Sequence, residues 1–170
     1  EKTAVWCVDP SNQESKFSYE EIRLASQKAA NAIQGLGAKR SICILPKVST
    51  ISEYEIIHLH TLDPRMVEIN LGTIRSNVAL LPGTTQLQVS ETLQEIEMTF
   101  HVSGWDIEGR LLTSGADCII ADPETASKVD SLELGRTNLK IKIIVGGEKA
   151  GWIPWASLYD TASSSHEASV

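Results

Sequence analysis

Four short apolar runs, set between stretches of helical pattern, decide what this chain can fold into. They are Ile42-Cys43-Ile44-Leu45, Val78-Ala79-Leu80-Leu81, the stretch Ala116-Asp117-Cys118-Ile119-Ile120-Ala121, and Leu139 to Val145. The first stops at Pro46 and the second at Pro82-Gly83. Short continuous apolar runs with such stops read as buried strands. In the last, Lys140 and Lys142 alternate outward.

The helical patterns between them carry their own punctuation. Ser18 and Glu21 have the spacing of a capping box, in which each side chain satisfies the other's backbone N–H. Ile22, Ala25, Ala29, Ala30, Ile33 and Leu36 then recur on one face, and Gly35 and Gly37 supply a stop. The spacing predicts a helix over 19–35. Asp63-Pro64 opens a second, with Met66, Val67, Ile69, Leu71 and Ile74 as its apolar positions. Ser90 is placed to cap a short helix carrying Leu93, Ile96 and Phe100. Asp122-Pro123 opens another with Ala126, Val129 and Leu132 inward, and Trp155 to Ala162 reads as a short last helix. Strand and helix in alternation pair in parallel through right-handed crossovers. The expected fold class is α/β: a layered, mostly parallel sheet with flanking helices.

Two stretches break this rhythm. Residues 49–63 and 98–115 have no clean period, and the second contains Trp105 and three glycines. Connections in α/β units are usually about 2 to 6 residues long. Both stretches are therefore expected to be surface excursions outside the sheet, without a patterned core face.

The 170 residues carry a formal net charge of -7, which argues against a nucleic-acid footprint. No apolar run approaches the roughly 20 residues that span a bilayer. Cys7, Cys43 and Cys118 are far apart in apolar surroundings, which reads as buried reduced thiols. His58-Leu59-His60 puts two imidazoles on one face of a strand, but a metal site needs three or four converging ligands and no further His or Cys cluster supplies them. Thr113-Ser114-Gly115 looks like the start of a phosphate loop, yet Ala116-Asp117 follows, so a turn before a strand is the expectation. Trp152 and Trp155 read as packing residues, and Glu20 and Glu21 as helix-start charges.

An ordered set of short matches spans most of the chain. Lys16-Phe17-Ser18-Tyr19-Glu20-Glu21 and Ser26-Gln27-Lys28-Ala29-Ala30-Asn31 resemble the early helix of the medium-chain acyl-CoA synthetases. Ile44-Leu45-Pro46-Lys47-Val48 is similar to that family's Leu-Pro-Arg-Val-Pro, and Leu71-Gly72-Thr73-Ile74-Arg75 to its Gly-Cys-Ile-Arg. Leu81-Pro82-Gly83-Thr84-Thr85-Gln86-Leu87 is the nearest match, and Lys140 to Val145, Gly151-Trp152 and His166-Glu167-Ala168-Ser169 follow in the family's order.

The resemblance implies part of the large N-terminal domain of an adenylate-forming enzyme, over residues 1–170, with 49–63 and 98–115 as insertions. It implies a ligase that joins a medium-chain carboxylic acid to coenzyme A through an acyl-adenylate, using ATP and Mg²⁺, in the mitochondrial matrix. Gln86 is the one position it carries over, as a contact to coenzyme A. The family's phosphate loop, Thr-Ser-Gly-Thr-x-Gly-x-Pro-Lys, is expected a few residues beyond Val170, so the chain alone is expected to be inactive, with no catalytic residue and no metal ligand of its own. The competing reading is a non-catalytic α/β module with no ligand.

Overall fold

The computed structural model describes residues 2–8, 13–44, 64–83 and 104–166. It opens with a two-stranded ribbon that the sequence reading did not anticipate. Strand β1 (Thr3–Val8) pairs antiparallel with β2 (Glu14–Ser18), placing Trp6 opposite Lys16. The Lys16 ammonium sits 4.5 Å over the indole ring, a cation–π contact that covers one face of an otherwise exposed tryptophan.

Ser18 ends the ribbon and starts helix α1 (Tyr19–Gln34). The anticipated capping box is present. The Ser18 hydroxyl accepts the Glu21 amide at 3.2 Å, and the Glu21 carboxylate accepts the Ser18 amide at 2.7 Å. Ala29, Ala30 and Ile33 are fully buried along the inner face. Helix α2 (Pro64–Arg75) begins at the expected proline and packs on α1. Its Gly72 lies so close that a Cβ there would fall 2.5 Å from Ala29 Cβ.

The main sheet holds β3 (Arg40–Ile44), β4 (Ala79–Gly83), β5 (Cys118–Ala121), β6 (Ile141–Ile144) and β7 (Ile153–Pro154). They run in the order β4-β3-β5-β6-β7, every neighbouring pair parallel. The α/β expectation therefore holds, with β7 as a short addition. Strands β5 and β6 begin later than the apolar runs suggest. The Lys140 and Ile141 amides both converge on the Asp117 carbonyl at 2.9 Å, which interrupts regular pairing there.

Helices cover both faces. On one face, Ile33 of α1 and Ile69 of α2 pack with Cys118 and Ile120 of β5, Ile143 of β6 and Trp155 of α5 (Trp155–Thr161). On the other, helices α3 (Gly104–Ser114) and α4 (Pro123–Asp130) bury Ile107, Leu111, Ala126 and Val129 against Ile119, Ala121 and Ile144. The two faces follow from handedness. The β3-to-β4 step moves one way along the sheet, while β4-to-β5 and β5-to-β6 move the other. Right-handed crossovers then put α2 on one side and α3 and α4 on the other.

Segment 98–115 departs from expectation. It was read as an excursion without a core face, yet its residues 104–114 form α3, and Ile107 and Leu111 are completely buried. These two are four positions apart, which stacks them on one helical face; Trp105 and Gly109 break up the surrounding pattern enough to hide it. Segment 49–63 and the helix expected after Ser90 lie outside the described residues.

Candidate functional site

The strand order reverses direction at β3: α2 leads to β4 on one side, while β5 fills the other. In open α/β sheets ligands settle beyond the carboxyl ends of the strands at such a switch point. Here that edge is formed by Ile44, Gly83, Ala121-Asp122 and the glycine pair after β6, Gly146-Gly147.

The described groups at this edge are chiefly structural. Asp122 caps α4, its carboxylate accepting the Thr125 amide at 2.6 Å, and is 8% exposed. Pro123 supplies the first helical position. Arg65, in the first turn of α2, brings its guanidinium nitrogens within 3.8 Å of where a Cβ on Gly146 would stand. That sets a cation beside the end of β6. The sequence reading missed Arg65; its position two residues after the Asp63-Pro64 helix start was the available signal, since the first turn of a βαβ crossover helix emerges near the carboxyl edge.

At the other end of α4, away from this edge, Asp130 organises a polar cluster. Its carboxylate accepts from Lys142 Nζ at 2.8 Å and from Trp152 Nε1 at 3.0 Å, and Lys149 Nζ lies 3.4 Å away. Burial works to raise the Asp130 carboxyl, but the hydrogen bonds from Lys142 and Trp152, the Lys142 charge and the Lys149 hydrogen bond outweigh it and hold the group below its ordinary value. The Lys142 ammonium also lies 5.2 Å over the Trp152 ring. The cluster satisfies the one polar atom of a buried indole, so Trp152 and Trp155 are the packing residues expected of them.

Cys118 is free and fully buried in β5. Burial, with a smaller push from the Asp117 charge, raises its thiol to about 12. It stays protonated and is no nucleophile. The side chains of Cys7 and Cys43 lie outside the described residues.

The other sequence candidates fall as follows. Thr113 and Ser114 form the last turn of α3 and Gly115 ends it, so this triplet is the turn expected. Gln86, His58 and His60 lie outside the described residues. Among the described residues, no group of three His, Cys, Asp or Glu side chains converges as a metal ion requires, and no helix is long and apolar enough to cross a membrane.

The mitochondrial acyl-coenzyme A synthetase ACSM4 of Rattus norvegicus is 30% identical over 168 aligned residues, and the mitochondrial acyl-coenzyme A synthetase ACSM3 of Mus musculus is likewise 30% identical over 168. Each alignment takes in 96% of this chain. The chain is homologous to the acyl-coenzyme A synthetases. It spans 24% of the length of these relatives. No protein-family model matches.

Solved acyl-CoA synthetases share the fold. An acyl-CoA synthetase of Brucella canis superposes with a TM-score of 0.69 at 20% identity, over 99% of this chain and 26% of its own. The anthranilate CoA ligase AuaEII in complex with anthranoyl-AMP gives 0.64 at 14% identity, over 98% of this chain and 27% of its own. The inhibitor-bound N-terminal domain of FACL13 from Mycobacterium tuberculosis gives 0.59 at 13% identity, over 97% of this chain and 34% of its own. The doubly wound sheet described here is thus the architecture of the acyl-CoA ligase N-terminal domain over the part it covers.

Proposed function

We propose that the chain supplies part of the N-terminal, carboxylate-activating domain of an ATP-dependent medium-chain fatty acid–CoA ligase. The homology to acyl-coenzyme A synthetases along 96% of the chain carries this reading. A sheet whose strand order reverses at β3, where such sheets take ligands at the carboxyl edge, supports it.

In the reaction proposed, a carboxylate oxygen attacks the α-phosphorus of ATP, forming an acyl-adenylate and releasing pyrophosphate. The coenzyme A thiol then attacks the acyl carbon, AMP leaves, and the thiol proton passes to solvent. Mg²⁺ accompanies the ATP and offsets phosphate charge. Within residues 1–170 the roles open to the chain are binding ones. Gln86 is proposed to contact coenzyme A. The relatives' names place them in mitochondria, and we assign this chain to the same compartment, in the matrix.

The sequence of residues 1–170 contains no Thr-Ser-Gly-Thr-x-Gly-x-Pro-Lys loop. Backbone N–H groups and a Lys in such a loop hold the ATP phosphates and stabilise charge as it develops. The 170-residue polypeptide with ATP, Mg²⁺ and butyrate or hexanoate is therefore expected to release pyrophosphate at the rate of a buffer blank. The natural product of the gene, isolated from its source, is expected to catalyse hexanoate-dependent exchange of pyrophosphate into ATP. Absence of exchange with both acids would overturn the ligase reading in favour of a non-catalytic module.

A further inference from the structure

We propose that a hollow at the amino-terminal edge of the sheet, opposite the carboxyl edge described above, binds a phosphate-bearing anion. Its volume is about 580 Å³. Parallel strands start along one edge, so the residues just before or at the start of β3, β5 and β6 are gathered there: Lys39 and Arg40, Asp117, and Lys140.

Charge is the first argument. Three cations face one carboxylate in this hollow, in a chain whose net charge is -7. The carboxylate is occupied by backbone. Asp117 Oδ1 accepts the Arg40 amide at 3.0 Å, and both its oxygens lie 3.2 Å from the Lys39 amide. Among the described residues no carboxylate pairs with the Lys39 or Lys140 ammonium. Gathering like charges costs free energy that a bound anion returns.

Preorganisation is the second. Arg40 Nη1 donates to the Ser114 carbonyl at 2.9 Å, which steadies the guanidinium and leaves the rest of its donor fork for another acceptor. The Asn138 amide nitrogen lies beside it, 3.5 Å from where a Cβ on Gly115 would stand. Gly115 has φ +63, a conformation that side chains rarely adopt, and the position lies in contact range of both Asn138 and Arg40. Leu36 and Ile141 add apolar walls, which suit a ring or short chain attached to the phosphate.

The ligand chemistry has two sources, inorganic pyrophosphate or the phosphate of a nucleotide. Isothermal titration of the whole chain with each, at about 50 mM salt and again at about 0.3 M, tests the site. Saturable binding of at least one is expected, weakened by salt. The double variant Lys39→Gln/Lys140→Gln is expected to lose about tenfold or more in affinity, since two charge contacts go. Lys39→Arg/Lys140→Arg, which keeps the charge, is expected to bind like the natural chain. Tighter binding of AMP than of pyrophosphate assigns the apolar walls to a nucleoside; equal or weaker binding assigns the site to phosphate alone, and either supports the proposal. No saturable binding of either anion, or undiminished affinity in the Gln variant, overturns it. The ligase reading stands or falls separately, on exchange activity.

Discussion

His166 Nδ1 sits 2.6 Å from Asn31 Oδ1, across 135 positions of sequence. The Asn31 amide is oriented by its own nitrogen, which donates to the Ser163 carbonyl at 2.7 Å and the Ser165 carbonyl at 2.8 Å. Its oxygen is therefore the acceptor, and the imidazole hydrogen on Nδ1 is the donor. The other ring nitrogen lies 3.4 Å from the Arg75 carbonyl, itself an acceptor, so a bond there would need a second ring hydrogen; the imidazole ties the segment after α5 to α1. Asn31→Ala removes three of these bonds. It should cost about 1–2 kcal/mol of stability, because the bonds are partly solvated. Limited proteolysis should then cut first within 162–166; an unchanged digestion pattern would count against the tie.

The contact between α1 and α2 depends on Gly72. A methyl there would meet Ala29 Cβ at 2.5 Å and the Ala30 amide nitrogen at 2.9 Å, closer than packed atoms approach. In a solvent-exposed helix Gly→Ala is favourable by about 1 kcal/mol. Here it should destabilise by about 1–3 kcal/mol, because overpacking forces the helices apart. Chemical denaturation of Gly72→Ala checks the sign, and a stabilised variant would mean that the helices do not touch there.

Leu111 tests the corrected view of α3. It is fully buried with Ile107 against β5 and α4. Leu111→Ala should cost about 2–5 kcal/mol, the range for a truncated core leucine. Were 98–115 a surface excursion, the same change would be nearly silent, as surface substitutions usually stay within about 0.5 kcal/mol.

These cases mark where the fold was legible. Helices with a printed start signal were found: Ser18 with Glu21, Asp63-Pro64 and Asp122-Pro123 each depend on neighbours in sequence. The parallel sheet followed from alternation, a global pattern that single residues do not blur. The ribbon of β1 and β2 was missed because its order comes from pairing between two segments, Trp6 with Lys16 among them, and neither alternates cleanly. Helix α3 was missed because only Ile107 and Leu111 declare its face. The family resemblance pointed to Gln86, while Arg65 at the carboxyl edge and the basic hollow at the other edge became visible only once parallel strands brought separate segments together.

Asp130 gives the chain an acid-sensitive element. Its carboxyl is held below the ordinary value in the folded state. The stability it contributes is therefore fully present above the ordinary aspartate range and lost as pH falls through the folded value. Asp130→Asn should be less stable than the natural chain near pH 7, because two ammonium groups lose their counter-charge. The difference should begin to narrow below about pH 4, the ordinary aspartate value, and close only below the lowered folded value, where the natural side chain is also neutralised. Thermal melts of both chains across that range give the test; a gap that widens with acid would contradict it.

The position of β3 in the sheet also sets an order of events. It is flanked by β4 on one side and β5 on the other, and only β4 follows it at once in sequence. As the chain leaves a ribosome, one edge of β3 finds its partner when Ala79–Gly83 emerges. Its second edge stays open until Cys118–Ala121 is made. During that interval a strand whose second half, Ile42 to Ile44, is apolar presents unpaired backbone groups to whatever else is nearby. Domains whose strands must wait for distant partners fold slowly and are prone to associate wrongly. The nascent chain therefore needs protection until Cys118–Ala121 is made, and a pause in translation before that point would lower its yield.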